Sequence, residues 1–221
     1  MRPPTPMMKT SDFYYDLPKE LIAQHPAEPR DSSRMLVYHR TDAVVEHRHF
    51  YDLPQYLRAG DLLVLNETKV IPARLYGHRE GYEGAVECLL LKRLDYTHWE
   101  CIARPAKKLR VGTRIVFADD LSATVTAYGE EGIRVLEFSF EGVFEDVLDR
   151  VGNMPLPPYI TAKLEDKTRY NTVYSRLDGS AAAPTAGLHF TPELLQRIED
   201  MGVQIVKVLL HVGLGTFRPV K

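Results

Sequence analysis

The sequence has little cysteine, little net charge and no long apolar run. Cys88 and Cys101 are the only cysteines among 221 residues, too few for a disulfide framework. Both lie in strand-like apolar stretches and are expected as reduced, half-buried thiols, although a hairpin would let them face each other. No stretch approaches the ~20 apolar residues of a membrane span. Met1 to Met8 carries prolines at positions 3, 4 and 6 but no apolar core of a signal peptide. It reads as a loose extension ahead of a soluble chain in a reducing, cytoplasmic setting. A formal net charge of -2 argues against a broad basic groove, so nucleic acid would have to meet a local basic patch. No His/Glu metalloprotease motif or phosphate-loop lysine motif occurs. His47 and His49 have no Cys or carboxylate cluster beside them, so no metal is expected. Repeats and low-complexity runs are also missing.

What is present is an ordinary globular balance, 44% hydrophobic and 26% charged. Asp16 to Glu20 is expected to open a short helix, with Asp16 as cap and Pro18 early; Pro26 stops it. Arg34 to His39 and Ala43 to Arg48 read as two strands around a turn. Tyr51 to Arg58 reads as a short helix ended by Gly60. Asp61 to Asn66 is a continuous apolar run and reads as a strand buried on both faces.

From Arg74 to about Gly142 strand follows strand, separated by Gly and charged turns. Val86–Leu91, Trp99–Arg104, Arg114–Phe117, Ser122–Thr126 and Ile133–Phe138 are the clearest. Even spacing of this kind points to a small barrel or sandwich. Val143 to Val151 is helical, and the proline-rich run 155–159 is an extended, rigid wall. Thr191-Pro192-Glu193 is a strong helix start, with Leu194, Leu195, Ile198 and Met201 on its apolar face and Gly202 at its end. Val203 to Leu210 reads as a buried strand. The expected fold class is α/β: a layered α/β domain, in segments 7–73 and 151–221, interrupted by an inserted small all-β barrel domain at 74–150.

Three runs and one basic cluster carry candidate chemistry. Ala183 to Thr191 has small residues that open the backbone to a ligand, and His189 lies just before a helix whose N-terminus attracts anions. Phe190 is placed either to stack on a ring or to anchor the helix. His211 to Phe217 follows a strand with Gly213-x-Gly215, a place where α/β folds hold ligands; it lacks the third glycine of a dinucleotide fingerprint. Asn66 to Arg74 ends the other apolar strand. Its Asn and Thr side chains suit ribose hydroxyls or a purine edge, and Arg74 suits a phosphate or carboxylate. Arg104 to Arg110, with Arg114 nearby, is the densest positive cluster and suits an RNA backbone.

Together these runs resemble the S-adenosylmethionine:tRNA ribosyltransferase-isomerase family of queuosine biosynthesis. The resemblance runs from the Phe13–Pro26 region to the last residue. It includes Arg30–Leu36 (RDSSRML), Asn66–Arg74 (NETKVIPAR), Arg104-Pro105, Pro155–Tyr159 (PLPPY), Arg169–Tyr174 (RYNTVY), Ala183–Thr191 (APTAGLHFT) and His211–Pro219 (HVGLGTFRP). It implies an α/β domain with an inserted barrel, and a reaction. The ribosyl part of S-adenosyl-L-methionine, a cosubstrate, would pass to 7-aminomethyl-7-deazaguanine at the tRNA wobble position. Epoxyqueuosine tRNA, adenine and methionine would result. Proton transfer would fall to His189 or His211. Substrate contacts would fall to Asn66, Thr68, Arg74, Arg104, Tyr159, Arg169, Tyr170, Thr185, Gly187, Phe190, Gly213, Gly215, Thr216 and Phe217. The chain is expected to act as a monomer. The family pattern continues past residue 221, so the C-terminal part of the family is expected to be missing. Two other readings stand beside this one: a catalytically silent tRNA-binding module, and an S-adenosylmethionine-binding enzyme with a different acceptor.

Overall fold

The structure, a computed structural model, describes residues 8–213, apart from the Glu131 side chain. An antiparallel hairpin comes first, β1 (Arg34–His39) and β2 (Val44–His49), with its turn carried by Ala43 at φ 58°. The expected helix from Asp16 does not form. Only a 3-10 turn over Lys19–Leu21 appears, with Pro18 ahead of it and no side-chain cap. The reason is length: between Pro18 and Pro26 too few residues remain to offset the cost of nucleating a helix. The segment after β2 is likewise a 3-10 helix, Phe50–Tyr56, and Leu57 ends it.

Next come β3 (Leu62–Asn66) and the short β4 (Thr68–Val70). Six strands then close into an antiparallel barrel: β5 (Arg74–Arg79), β6 (Ala85–Arg93), β7 (His98–Arg104), β8 (Arg114–Ala118), β9 (Leu121–Tyr128) and β10 (Ile133–Phe140). The order around the barrel is β10-β7-β6-β5-β8-β9. Period-2 alternation drives closure: Val86, Cys88 and Leu90 of β6 and Trp99, Cys101 and Ala103 of β7 point inward and are buried. The helix α1 (Phe144–Val151) packs Phe144, Val147 and Leu148 into this core, with the Phe144 ring 5.0 Å from that of Phe140 and 5.3 Å from that of Phe138. The two cysteines are free and buried inside it. Burial pushes the Cys88 thiol up to about 12 and raises Cys101 well above its usual value.

Beyond the barrel lie β11 (Leu177–Ser180), α2 (Pro192–Asp200) and β12 (Gln204–Val208). The chain is thus α/β with an inserted barrel. β12 pairs in parallel with β3, and β11 pairs in parallel with β4. The start of α2 follows its sequence signature: the Thr191 hydroxyl accepts from the Leu194 N–H at 3.1 Å, and Pro192 stands at the first helical position. Leu194 and Ile198 are buried against Leu65, Phe190 and Val203, each burial contributing about 2 kcal/mol. Met201, expected on the same face, is 39% exposed. The expectations of a strand buried on both faces at Asp61–Asn66 and of a buried strand at Val203–Leu210 both fail. Among the described residues β3 and β12 have only each other as sheet neighbours, and Leu62, Val64 and Val206 are exposed. No described helix is long and apolar enough to cross a membrane.

Candidate functional site

The three chemical runs meet through side chains that satisfy each other's backbone. Asn66, at the end of β3, donates through Nδ2 to the Leu210 carbonyl at 2.8 Å. Its Oδ1 accepts from the Leu210 N–H at 3.0 Å and the Thr68 N–H at 3.2 Å. Ser180, at the end of β11, accepts from the Val212 N–H at 2.9 Å and donates to the Ala182 carbonyl at 2.8 Å, while the Ala181 N–H donates to the Val212 carbonyl. The residues just ahead of the Ala183–Thr191 run are therefore tied to the run that begins at His211. Asn171 adds a third tie. It donates to the Val70 carbonyl at 3.0 Å and accepts from the Val70 N–H at 2.7 Å, as a neighbouring strand would.

His211 sits at this junction. Its Nδ1 lies 2.8 Å from the Thr68 hydroxyl, and its ring rests on Gly179. A Cβ at Gly179, whose φ is 137°, would stand 3.0 Å from the ring. Glycine meets both demands, the φ and the close approach.

His189 ends a 3-10 turn over Thr185–His189. Its Nδ1 lies 3.0 Å from the Ser33 hydroxyl, and its ring packs 5.2 Å from that of Phe50. Burial lowers its pKa below the usual 6.5, with the Arg30 carbonyl acting in the opposite direction. The turn is held from outside by Arg30, which donates to the carbonyls of Asn171 at 2.9 Å, Leu188 at 3.2 Å and Thr168 at 3.3 Å. Gly187 allows the turn to close on its floor, because a Cβ there would lie 2.1 Å from the Tyr174 hydroxyl.

Several residues expected at the substrate have protein partners instead. The Asn66 amide is engaged by backbone, and Thr68 is fully buried beside His211. Arg74 lies 3.4 Å from Glu87 and donates to the Leu156 carbonyl at 3.3 Å. Arg169 donates to the Ala27 carbonyl at 2.6 Å and pairs with Glu28 at 3.3 Å. Tyr170 is buried, which raises its hydroxyl pKa. Phe190 takes the anchoring alternative: it is buried and meets Phe50 edge-on at 4.9 Å. Thr185, Tyr159, Arg104 and Gly213 are exposed. Gly215, Thr216 and Phe217 lie outside the described residues. Among the described residues no group of three His, Cys, Asp or Glu side chains is placed to hold a metal ion.

Sequence reasoning assigned nothing to Ser33, Arg30, Asn171 or Gly179. The first three stand inside quoted motifs, which was the available signal. Gly179 lies outside those motifs and had none. Two clefts, of about 650 and 460 Å³, open on the barrel, and neither is lined by His189 or His211.

The queuosine biosynthesis protein family model matches residues 10–221. An S-adenosylmethionine:tRNA ribosyltransferase-isomerase of Symbiobacterium thermophilum is 61% identical over 97% of this chain and 63% of its own length. The protein of the same name from Desulfitobacterium hafniense is 57% identical with the same coverage. The crystal structure of an S-adenosylmethionine tRNA ribosyltransferase from Thermotoga maritima is 42% identical, covering 91% of this chain and 58% of that one, with a TM-score of 0.38. The chain thus spans 63% of the length of the curated relatives it matches. With the family model matched over nearly all of its residues, the chain belongs to the queuosine biosynthesis protein family.

Proposed function

We propose that the chain carries the ribosyl-transfer site of a tRNA ribosyltransferase-isomerase, working as a cytoplasmic monomer. In this reading S-adenosyl-L-methionine gives its ribosyl part to 7-aminomethyl-7-deazaguanine at the tRNA wobble position, forming epoxyqueuosine with release of adenine and methionine. The division into segments 7–73 and 151–221 around a barrel at 74–150 belongs to the same proposal. The observation that carries it is the junction of the three runs, with two histidines each held at Nδ1 by a hydroxyl, Thr68 for His211 and Ser33 for His189.

The chemistry needs such groups. The sulfonium acidifies the C5′ hydrogen of its ribose, so a neutral imidazole can take that proton, and adenine needs a proton as it leaves. The aminomethyl nitrogen then attacks, and methionine departs as the epoxide closes. His189, held toward its neutral form by burial, suits the base; exposed His211 suits the acid. Asn66 and Thr68 serve by fixing His211 and the strand end, Arg74 and Arg169 by fixing the walls. Thr185, Tyr159, Arg104, Gly187 and Gly213, with Gly215, Thr216 and Phe217, remain the proposed substrate contacts, and Tyr170 and Phe190 support them from beneath.

The test is adenine release from S-adenosylmethionine by this chain with tRNA bearing 7-aminomethyl-7-deazaguanine. Release that depends on the modified base, and that is lost in His189→Ala or His211→Ala, supports the reading. Release with another acceptor replaces the tRNA with that acceptor. One observation favours a second reading, a tRNA-binding module without turnover: Leu62, Val64 and Val206 are exposed on the strand pair that leads to His211, so among the described residues its mount has no packed outer face. Tight tRNA binding with no adenine release would establish it.

A further inference from the structure

The barrel carries a basic loop that is built more firmly than a solvated turn needs to be. Arg104 ends β7, and Lys107, Lys108 and Arg110 follow; all four are exposed. Among the described residues none of the four forms an ion pair, whereas Arg114, at the start of β8 beside the loop, pairs with Glu80, and Arg150 pairs with Asp120 at the other end of the barrel. The loop is pinned from below at two points. Leu109, between the cations, is fully buried in the barrel core. Arg134 of β10 uses its fork on carbonyls: Nε donates to Leu109 at 3.1 Å, Nη2 to Ala106 at 3.0 Å, and Nη1 to Ile133 at 3.0 Å and Gly132 at 3.2 Å. The guanidinium lies 4.5 Å from the centre of the Tyr128 ring, whose hydroxyl accepts from the Val111 N–H at 3.2 Å. Arg134 thus ties the loop to the turn ahead of β10, while the loop's own cations face water.

The surface next to the loop is aromatic. Arg104 stands opposite Glu87, and Glu87 opposite Tyr76, across β7, β6 and β5. These positions share the outer face, so Arg104 and Tyr76 are about 10 Å apart, two strand spacings. Glu87 is offset by Arg74 at 3.4 Å. Tyr76 is 52% exposed and opens onto the 650 Å³ cleft that His78 and Tyr82 also line, with the Arg79 guanidinium 3.9 Å above the Tyr82 ring. Pre-ordered cations beside exposed rings suit a polymer that alternates phosphates with bases: the cations release counterions and the rings take a base by stacking. An acidic protein would use the cations but not the rings.

We propose that the Arg104–Arg110 loop is a docking surface for the RNA phosphate backbone, with Tyr76 stacking a neighbouring base and Arg134 as the residue that positions the loop. The proposal rests on the tRNA reading above and assigns that substrate a second foothold, on the barrel. The test is binding of a labelled, unmodified anticodon stem-loop RNA to the whole chain across a potassium chloride series. The variant K107A/K108A/R110A is expected to bind roughly tenfold more weakly, with the slope of log affinity against log salt smaller by about two to three. Arg197→Ala, an exposed cation on α2, should change neither. Arg134→Lys keeps a charge but not the fork, and is expected to weaken binding several-fold while the circular dichroism spectrum is unchanged. Wild-type slope and affinity in the triple variant would overturn the docking surface and leave the tRNA reading intact. Failure of the wild-type chain to bind RNA at all would overturn both.

Discussion

The Thr68 hydroxyl stands 2.8 Å from Nδ1 of His211, across 143 positions of sequence. Whichever of the two donates, Nε2 is the nitrogen left for other chemistry. Thr68→Val removes the hydroxyl at nearly constant volume. The His211 ring nitrogen shifts, read by NMR, should then move toward an unpinned tautomer mixture. Adenine release should fall roughly tenfold or more through kcat, as expected when a proton-transfer group loses its orientation, with KM for S-adenosylmethionine unchanged. An unaltered ring spectrum would show that Thr68 does not hold the imidazole.

The turn bearing His189 closes only over a glycine. Gly187→Ala places a methyl 2.1 Å from the Tyr174 hydroxyl, and overpacking of this kind costs about 1–3 kcal/mol. Urea unfolding should show the loss. Tyr174→Phe introduced alongside it should return part of the stability, because the clash is with the hydroxyl. Equal losses in the single and double variants would place the strain elsewhere.

Burial lowers the His189 pKa below its usual 6.5. Between the lowered folded value and 6.5 the unfolded chain binds more protons, so stability rises with pH across that window. The contribution is complete above 6.5 and is lost as pH falls through the folded value. The urea midpoint should therefore drop as pH falls below 6.5, with His189→Gln flattening the dependence. An identical slope in the variant would move the effect to another group.

Cys88 and Cys101 lie in the barrel core, and burial raises both thiols. With Cys88 near 12, its thiolate fraction at pH 8 is on the order of one in ten thousand. Neither cysteine should react with a thiol-specific disulfide reagent in the native chain, and both should react in guanidinium. Rapid native labelling would mean that the barrel opens.

The barrel was legible because its signal is local. Alternation in Val86–Leu91 and Trp99–Arg104 states which side chains point inward, and the turns between them carry their own chemistry. β3 and β12 were located by their apolar runs, but their burial was misread, since the number of sheet neighbours a strand acquires is not written in the strand. β11 went unseen: Leu177-Asp178-Gly179-Ser180 has poor strand propensity and pairs only where the fold brings it beside β4. The candidate site divided along the same line. The histidines stood out by type and place. Ser33, whose partner His189 is 156 residues away, and Arg134, whose partners are carbonyls, could be recognised only once the chain was folded.

The barrel begins and ends on one rung: Arg74 and Asn153 exchange backbone hydrogen bonds of 3.0 and 2.8 Å in an isolated antiparallel bridge. To the strands outside it, everything between those two residues has the footprint of a hairpin turn. The entropy of closing so large a loop grows only with the logarithm of its length, and here the barrel's own folding brings the two ends together. Evolution could therefore have spliced a barrel into an older fold, or could exchange it for another, without rethreading the strands that carry His211. The barrel's surface can change with the shape of a partner while the histidine junction keeps its geometry.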